Sequence, residues 1–198
     1  MGQLGVDIDE KCTLRLLTTR PHGCRLTLAT GYLNVPDSLS ACLLGCRGEV
    51  TVLAASPEAN GFYGASGVLG AVPHAYSLIA SRFFERLHCG VAEAAMFEYK
   101  RPGWTFHAKG LWVTLPHHDA PSLSLVGSTN FGRRSAERDL EAQLCIATTS
   151  PSLRQQLRHE ERCLLGWSSA VSAESLSAQT RGVRLWVRLL SPLLRHFF

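Results

Sequence analysis

Long hydrophobic runs are missing from this sequence. No apolar stretch approaches the ~18–20 residues that a membrane-spanning helix requires, which argues against an integral membrane protein built on helices. Charge is sparse at 18%, whereas apolar residues reach 45%, so a packed core is available and wholesale disorder is excluded. No C-x-x-C occurs among the seven cysteines, and their number is odd. Cys42 and Cys46 stand at i, i+4 with no histidine nearby. A disulfide scaffold and a structural zinc site are therefore disfavoured, and the cysteines read as small buried residues in a reducing compartment. The opening MGQLGVDIDEKC has neither the apolar core of a signal peptide nor the Arg-rich, acid-poor character of a transit peptide. Either the chain has no address or its true beginning lies elsewhere. What remains is a chain of 198 residues with a net charge of +4. That bias suits phosphate groups or an anionic membrane surface, but is too weak to call for nucleic acid.

Periodicity predicts alternating strands and helices, hence an α/β fold: a mixed sheet flanked by helices. Strands are expected at 25–34, 49–56, 92–99, 106–115, 122–130 and 140–148. Helices are expected at 37–46, at 74–89 and from Pro151, where Ser150 offers an N-cap. A Gly-rich loop with glycines at 61, 64, 67 and 70 follows the second strand. The organisation expected is an N-terminal segment (1–24), a catalytic half (25–166), a Ser/Ala-rich linker (167–180) and a C-terminal amphipathic helix (181–198), kinked or interrupted by Pro192.

One set of residues carries chemistry. His107 and Lys109 are two apart on an expected strand, which places both on one face. Gly127-Ser128 and Asn130 follow on the next strand, and Glu141 on the one after. Around a phosphodiester each type has a use. An imidazole attacks phosphorus or moves a proton near neutral pH, and a carboxylate on its other nitrogen fixes the tautomer. Lysine and asparagine donors stabilise the non-bridging oxygens. This chemistry needs no metal, and no metal-ligand cluster or cofactor motif is present. An isolated H-x-K is weak evidence; F-H-A-K-G, then G-S-T-N-F-G-R-R-S, then D-L-E is far more specific.

That pattern, H-x-K…G-S-x-N…R-S…D-x-E, resembles one half of the phospholipase D superfamily. TFHAKGLW, SLSLVGSTNFGRRSAERDLEAQ, LAASPEANGFYGASGVLGAVPHAY and RLWVRLLSPLLRHFF resemble, more narrowly, the phosphatidylglycerophosphate synthases of animal mitochondria, from about Arg25 to Phe198. The resemblance implies transfer of a phosphatidyl group from CDP-diacylglycerol to glycerol 3-phosphate through a phosphohistidine, toward phosphatidylglycerol and cardiolipin, at the mitochondrial inner membrane. It implies His107 as general acid and base, Lys109, Ser128 and Asn130 as polar groups of the site, and Glu141 as the acid that orients the histidine. The aspartate usual seven residues after the histidine falls at Thr114. Only one H-x-K is present where such sites use two, so a second half upstream or a second copy is implied. Within this resemblance Glu58, Asn60, Gly61, Arg133 and Arg134 are candidate substrate contacts. The loop at 58–70 reads equally as a pyrophosphate cradle and as a surface loop. Arg133-Arg134 read either as phosphate ligands or as a solvated charge pair. Arg184, Arg188 and Arg195 in the last helix fit an anionic bilayer surface or ordinary packing on the sheet. Two other functions stay open: a homodimeric phosphodiesterase or nuclease of the same superfamily, and a non-catalytic fragment that binds lipid.

Overall fold

The computed structural model describes residues 5–183 and 185–194. Seven strands form one sheet in the order β6-β5-β4-β1-β2-β3-β7. β1 (Arg25–Thr30), β2 (Glu49–Ala55) and β3 (Glu93–Tyr99) are parallel to one another. The crossovers between them are α2 (Asp37–Leu44) and α3 (Val72–Gly90). β4 (Lys109–Thr114), β5 (Leu123–Gly127) and β6 (Gln143–Ala147) form an antiparallel meander that joins β1 through β4.

The apolar alternation of β1 fixes the layers. Leu26 and Leu28 enter a core with Leu39 and Leu43 of α2, Phe83 and Leu87 of α3, and Val50 and Val52 of β2. Ala29 turns to the other face, where Leu53, Tyr99, Phe106 and Trp112 meet Leu157 of α5 (Pro151–Leu165). α5 is also fastened by polar contacts: Thr27 Oγ1 donates to Glu161, and Trp112 Nε1 donates to Glu160 at 3.2 Å. Ser150 caps α5 as expected, its hydroxyl accepting from Leu153 N at 3.4 Å.

Five expectations change. The segment before residue 25 holds α1 (Ile8–Thr19), and its Leu17 belongs to the main core. The strand expected over 106–115 begins only at Lys109, so His107 lies in the extended segment before β4 and strand alternation does not relate it to Lys109. The strand expected over 140–148 begins at Gln143, so Glu141 also precedes its strand. The Ser/Ala-rich stretch is not an unstructured linker. It forms β7 (Ser168–Ala170), paired with β3, and α6 (Ala173–Arg181), with a capping box between Ser172 and Ser175. Small residues look like linker by composition, yet here they permit an edge strand and a tight helix start. The last helix, α7 (Leu185–Leu194), continues past position 192, so of the kink or interruption expected there the interruption does not occur. Arg184 and Arg195 lie outside the described residues. Arg188 turns back to the carbonyls of Val183 and Thr180.

Gly127 ends β5 where β6 comes closest. A Cβ there would sit 2.1 Å from the Ala142 carbonyl oxygen and 2.8 Å from Gln143 Cα. Gly127→Ala is expected to force β5 and β6 apart and destabilise the protein by about 1–3 kcal/mol, read from a denaturant titration. Leu17→Ala is expected to cost about 2–5 kcal/mol in the same measurement, as for other buried leucines.

Candidate active site

The meander returns the start of β4, the end of β5 and the start of β6 to the sheet end where β1 and β2 finish. The register says so directly: Thr30 pairs with Lys109, Gly110 with Val126, and Gly127 with Gln143. His107, Lys109, Ser128, Asn130 and Glu141 therefore gather at one end of the sheet.

The backbone around His107 is held from two sides. Phe106 N donates to Ala59 O at 2.8 Å, and the Phe106 ring stacks on Tyr99 at 4.7 Å. Gly31 leaves the room that this segment needs, since a Cβ there would sit 2.9 Å from Phe106 O and 3.4 Å from His107 Cα. Tyr32 sets its ring edge-on to the imidazole, centroids 5.7 Å apart at 76°. Among the described residues the imidazole has no hydrogen-bond partner. Burial first, and the Lys109 charge second, hold its pKa below the ordinary histidine range. Lys109 Nζ donates to His107 O at 3.2 Å. Burial lowers the Lys109 pKa, against the attraction of the Glu141 carboxylate.

Among the described residues Glu141 makes no hydrogen bond to His107. Its carboxylate accepts from Ser128 Oγ at 2.5 Å, and that oxygen in turn accepts from Ala142 N at 3.0 Å. The physical reason lies in the strand end: Ser128 N donates to Ala142 O at 3.0 Å, which continues the β5–β6 pairing and brings the two side chains together. Asn130 is placed through its main chain, its carbonyl accepting from Thr30 Oγ1 at 2.7 Å and its N–H donating to Ser135 Oγ at 3.1 Å. Phe131, next in sequence, adopts φ 52°, a left-handed conformation uncommon for an aromatic residue. The Asn130 Oδ1 is buried with no partner.

His107 and Asn130 open into a cleft of about 370 Å³ walled by Tyr32, Phe62, Leu69 and Tyr76, with Arg134 at its border. Burial, and then the neighbouring Tyr32, push the Tyr76 phenol well above its ordinary range, so it stays a neutral hydroxyl. Sequence reasoning missed Gly31, Tyr32, Phe62 and Tyr76. They come from separate loops and a helix start, and no spacing links them.

The candidate substrate contacts divide. Arg134 borders the cleft while its Nε donates to Asp139 at 3.1 Å. Gly61 lies against the Tyr32 hydroxyl, which a Cβ would approach to 3.0 Å. Asn60 is buried and shapes the loop, its Oδ1 accepting from Phe62 N at 3.0 Å. Glu58 stands outside the cleft lining and pairs with Lys100 at 2.9 Å, and that hydrogen bond is the main cause of its lowered pKa. Arg133 is neither solvated nor directed at the cleft. Its side chain is 10% exposed and pairs with Asp37 at 2.5 Å and Glu137 at 3.5 Å. Two carboxylates on either side hold it between α2 and α4 (Arg133–Glu137). Among the described residues no group of three or more His, Cys, Asp or Glu could hold a metal ion.

No family model matches the chain. Sequence relatives match it throughout. The mitochondrial CDP-diacylglycerol–glycerol-3-phosphate 3-phosphatidyltransferases of Gallus gallus and Homo sapiens are 44% and 45% identical over 100% of this chain. A probable enzyme of the same name from Dictyostelium discoideum is 34% identical over 96% of it. The chain spans 36% of the length of the first two relatives. Among solved structures, phosphatidylserine synthase of Haemophilus influenzae superposes with a TM-score of 0.78 over 96% of this chain and 44% of that one, at 19% identity. Nuc of Salmonella typhimurium, a phospholipase D family member, gives 0.50 over 82% of this chain and 90% of that one, at 12% identity. The chain thus has a phospholipase D-like fold and is homologous over its whole length to a 36% portion of the CDP-diacylglycerol–glycerol-3-phosphate 3-phosphatidyltransferases.

Proposed function

We propose that this chain supplies one half-site of a phosphatidyltransferase that moves the phosphatidyl group of CDP-diacylglycerol to glycerol 3-phosphate, at a mitochondrial membrane with an anionic surface. One observation carries the proposal. An imidazole with no hydrogen-bond partner among the described residues faces a cleft together with Asn130, beside an ammonium and a Ser–Glu pair, in a chain homologous throughout to enzymes named for that reaction.

The second histidine comes from another H-x-K half, either a further segment or a second copy. Its imidazole attacks the phosphorus that bears diacylglycerol. A P–N bond forms, the P–O bond to CMP breaks, and His107 gives a proton to the departing phosphate oxygen. His107, now neutral, takes the proton from the glycerol 3-phosphate hydroxyl. That oxygen attacks phosphorus, the P–N bond breaks, and phosphatidylglycerophosphate leaves. Lys109 and the Asn130 amide N–H stabilise the non-bridging oxygens, where negative charge concentrates. Ser128 holds Glu141, and Glu141 in turn attracts Lys109. Leu140, Leu144 and Val126 are exposed beside Ser128 and Glu141, an apolar surface on the side where the second motif must approach.

In the complete enzyme, His107→Ala is expected to lower turnover by about 10²–10⁴-fold, and Lys109→Ala similarly. Thr114→Ala, buried in β4 opposite Arg25 and away from the cleft, leaves turnover near normal. Radiolabelled transfer into phosphatidylglycerophosphate measures this, and near-normal turnover of His107→Ala would overturn the assignment. The depressed His107 pKa means that the neutral base persists to lower pH. The acid limb of kcat/KM for glycerol 3-phosphate is therefore expected below the ordinary value of 6.5. Lys109→Met removes a positive charge that disfavours the imidazolium, so the residual activity should show that limb displaced upward in a pH–rate profile.

A further inference from the structure

The cleft opens beside a surface unlike the rest of the molecule. Residues 59–73 contain no Asp, Glu, Lys or Arg. The segment turns through two short 3₁₀ segments, Pro57–Ala59 and Gly67–Ala71, and leaves Tyr63, Val68 and Leu69 exposed. Leu69 is both a wall of the cleft and an exposed side chain, so the apolar surface runs unbroken from the site to its rim. α7 adds to it. Val187 packs inward with Ala75 and Val183, while Leu185 and Leu189 point away. Trp186 faces Gly67, Gly70 and His74 across a cavity of about 260 Å³.

Aromatic and cationic groups border this surface. Arg101 sits 4.1 Å from the ring centroid of Trp104 and 4.8 Å from that of Trp167, and both tryptophans are exposed. Lys100, just after β3, is paired with Glu58 at the start of the loop. Three of the four tryptophans are thus exposed, all at the catalytic end of the sheet; the other, Trp112, is core.

From this arrangement we infer that the Gly-rich loop and α7 form a bilayer-docking surface, which seats the cleft mouth on an anionic lipid membrane and lets a diacyl substrate enter past Leu69. The inference deepens the phosphatidyl-transfer proposal and rests on it for the identity of the substrate. Composition favours lipid as the occupant. Tyrosine and tryptophan beside lysine and arginine suit the boundary between headgroups and acyl chains, and the net charge of +4 suits an anionic surface. A second half-site has a separate place to bind, because Leu140 and Leu144 lie at edge strand β6 and the loop follows β2, beyond β1.

Val68 and Leu185, each 72% exposed, test this without touching the cleft. The 198-residue chain should float with vesicles of phosphatidylcholine containing phosphatidylglycerol, and less with phosphatidylcholine alone. Val68→Glu and Leu185→Glu should each weaken that binding about tenfold, with circular dichroism unchanged. Cys89→Glu, at the far end of α3, should float like the parent. No flotation by the parent, or flotation of Val68→Glu equal to it, would overturn the surface. In the complete enzyme, Val68→Glu should lose turnover of long-chain CDP-diacylglycerol in vesicles and keep turnover of a water-soluble short-chain analogue. If the parent turns over neither substrate while the flotation pattern holds, the docking surface stands and phosphatidyl transfer falls.

Discussion

The site depends on a close approach between main chains. β5 and β6 can pair up to Gly127 and Gln143 only because Gly127 has no side chain to meet the Ala142 carbonyl. That contact delivers Ser128 to Glu141 and starts the turn that carries Asn130 to the cleft. Gly31 plays the matching part on the other side of β4, letting the segment with His107 lie against the end of β1. Two glycines therefore set the spacing between the imidazole and its neighbours, and no side-chain hydrogen bond to the ring is needed to position it.

Charge in the site is arranged in series. Glu141 is tied to Ser128, attracts Lys109, and Lys109 in turn bears on His107. Burial lowers the pKa of both groups, which makes the imidazolium a readier proton donor and keeps the imidazole a neutral base to lower pH once that proton has left. The carboxylate acts on the histidine at one remove, through the ammonium. This differs from direct orientation through the second ring nitrogen and leaves that nitrogen open to another partner.

Much of this was legible in sequence, and the failures have physical causes. Periodicity and apolar runs located all six long strands; β1 and β4 bury nearly every residue, whereas β5 and β6 leave part of their length exposed. The H-x-K, G-S-x-N and D-x-E residues lie at one end of the sheet, but His107 and Glu141 stand just outside their expected strands; hydropathy does not register where pairing ends. Arg133 looked like its neighbour Arg134 in sequence, and only the position of Asp37 on a distant helix separates a buried ion pair from a residue at the cleft. Tyr32 and Phe62 gave no pattern because separate loops place them, and Tyr76 read only as one more residue of the helix that became α3. Ser168–Ala170 was hidden by composition, since small polar residues carry no strand signal unless a neighbouring edge recruits them.

That recruited strand has a consequence beyond the site. β7 covers the outer edge of β3, pairing Phe97 with Ala170 and Tyr99 with Ser168. Uncovered, β3 would present a row of unsatisfied amides and carbonyls to any other chain. A stop codon or protease cut ahead of Ser168 would therefore do more than shorten the protein; it would replace a three-residue border strand by the longer, more apolar edge of β3, a better template for self-association.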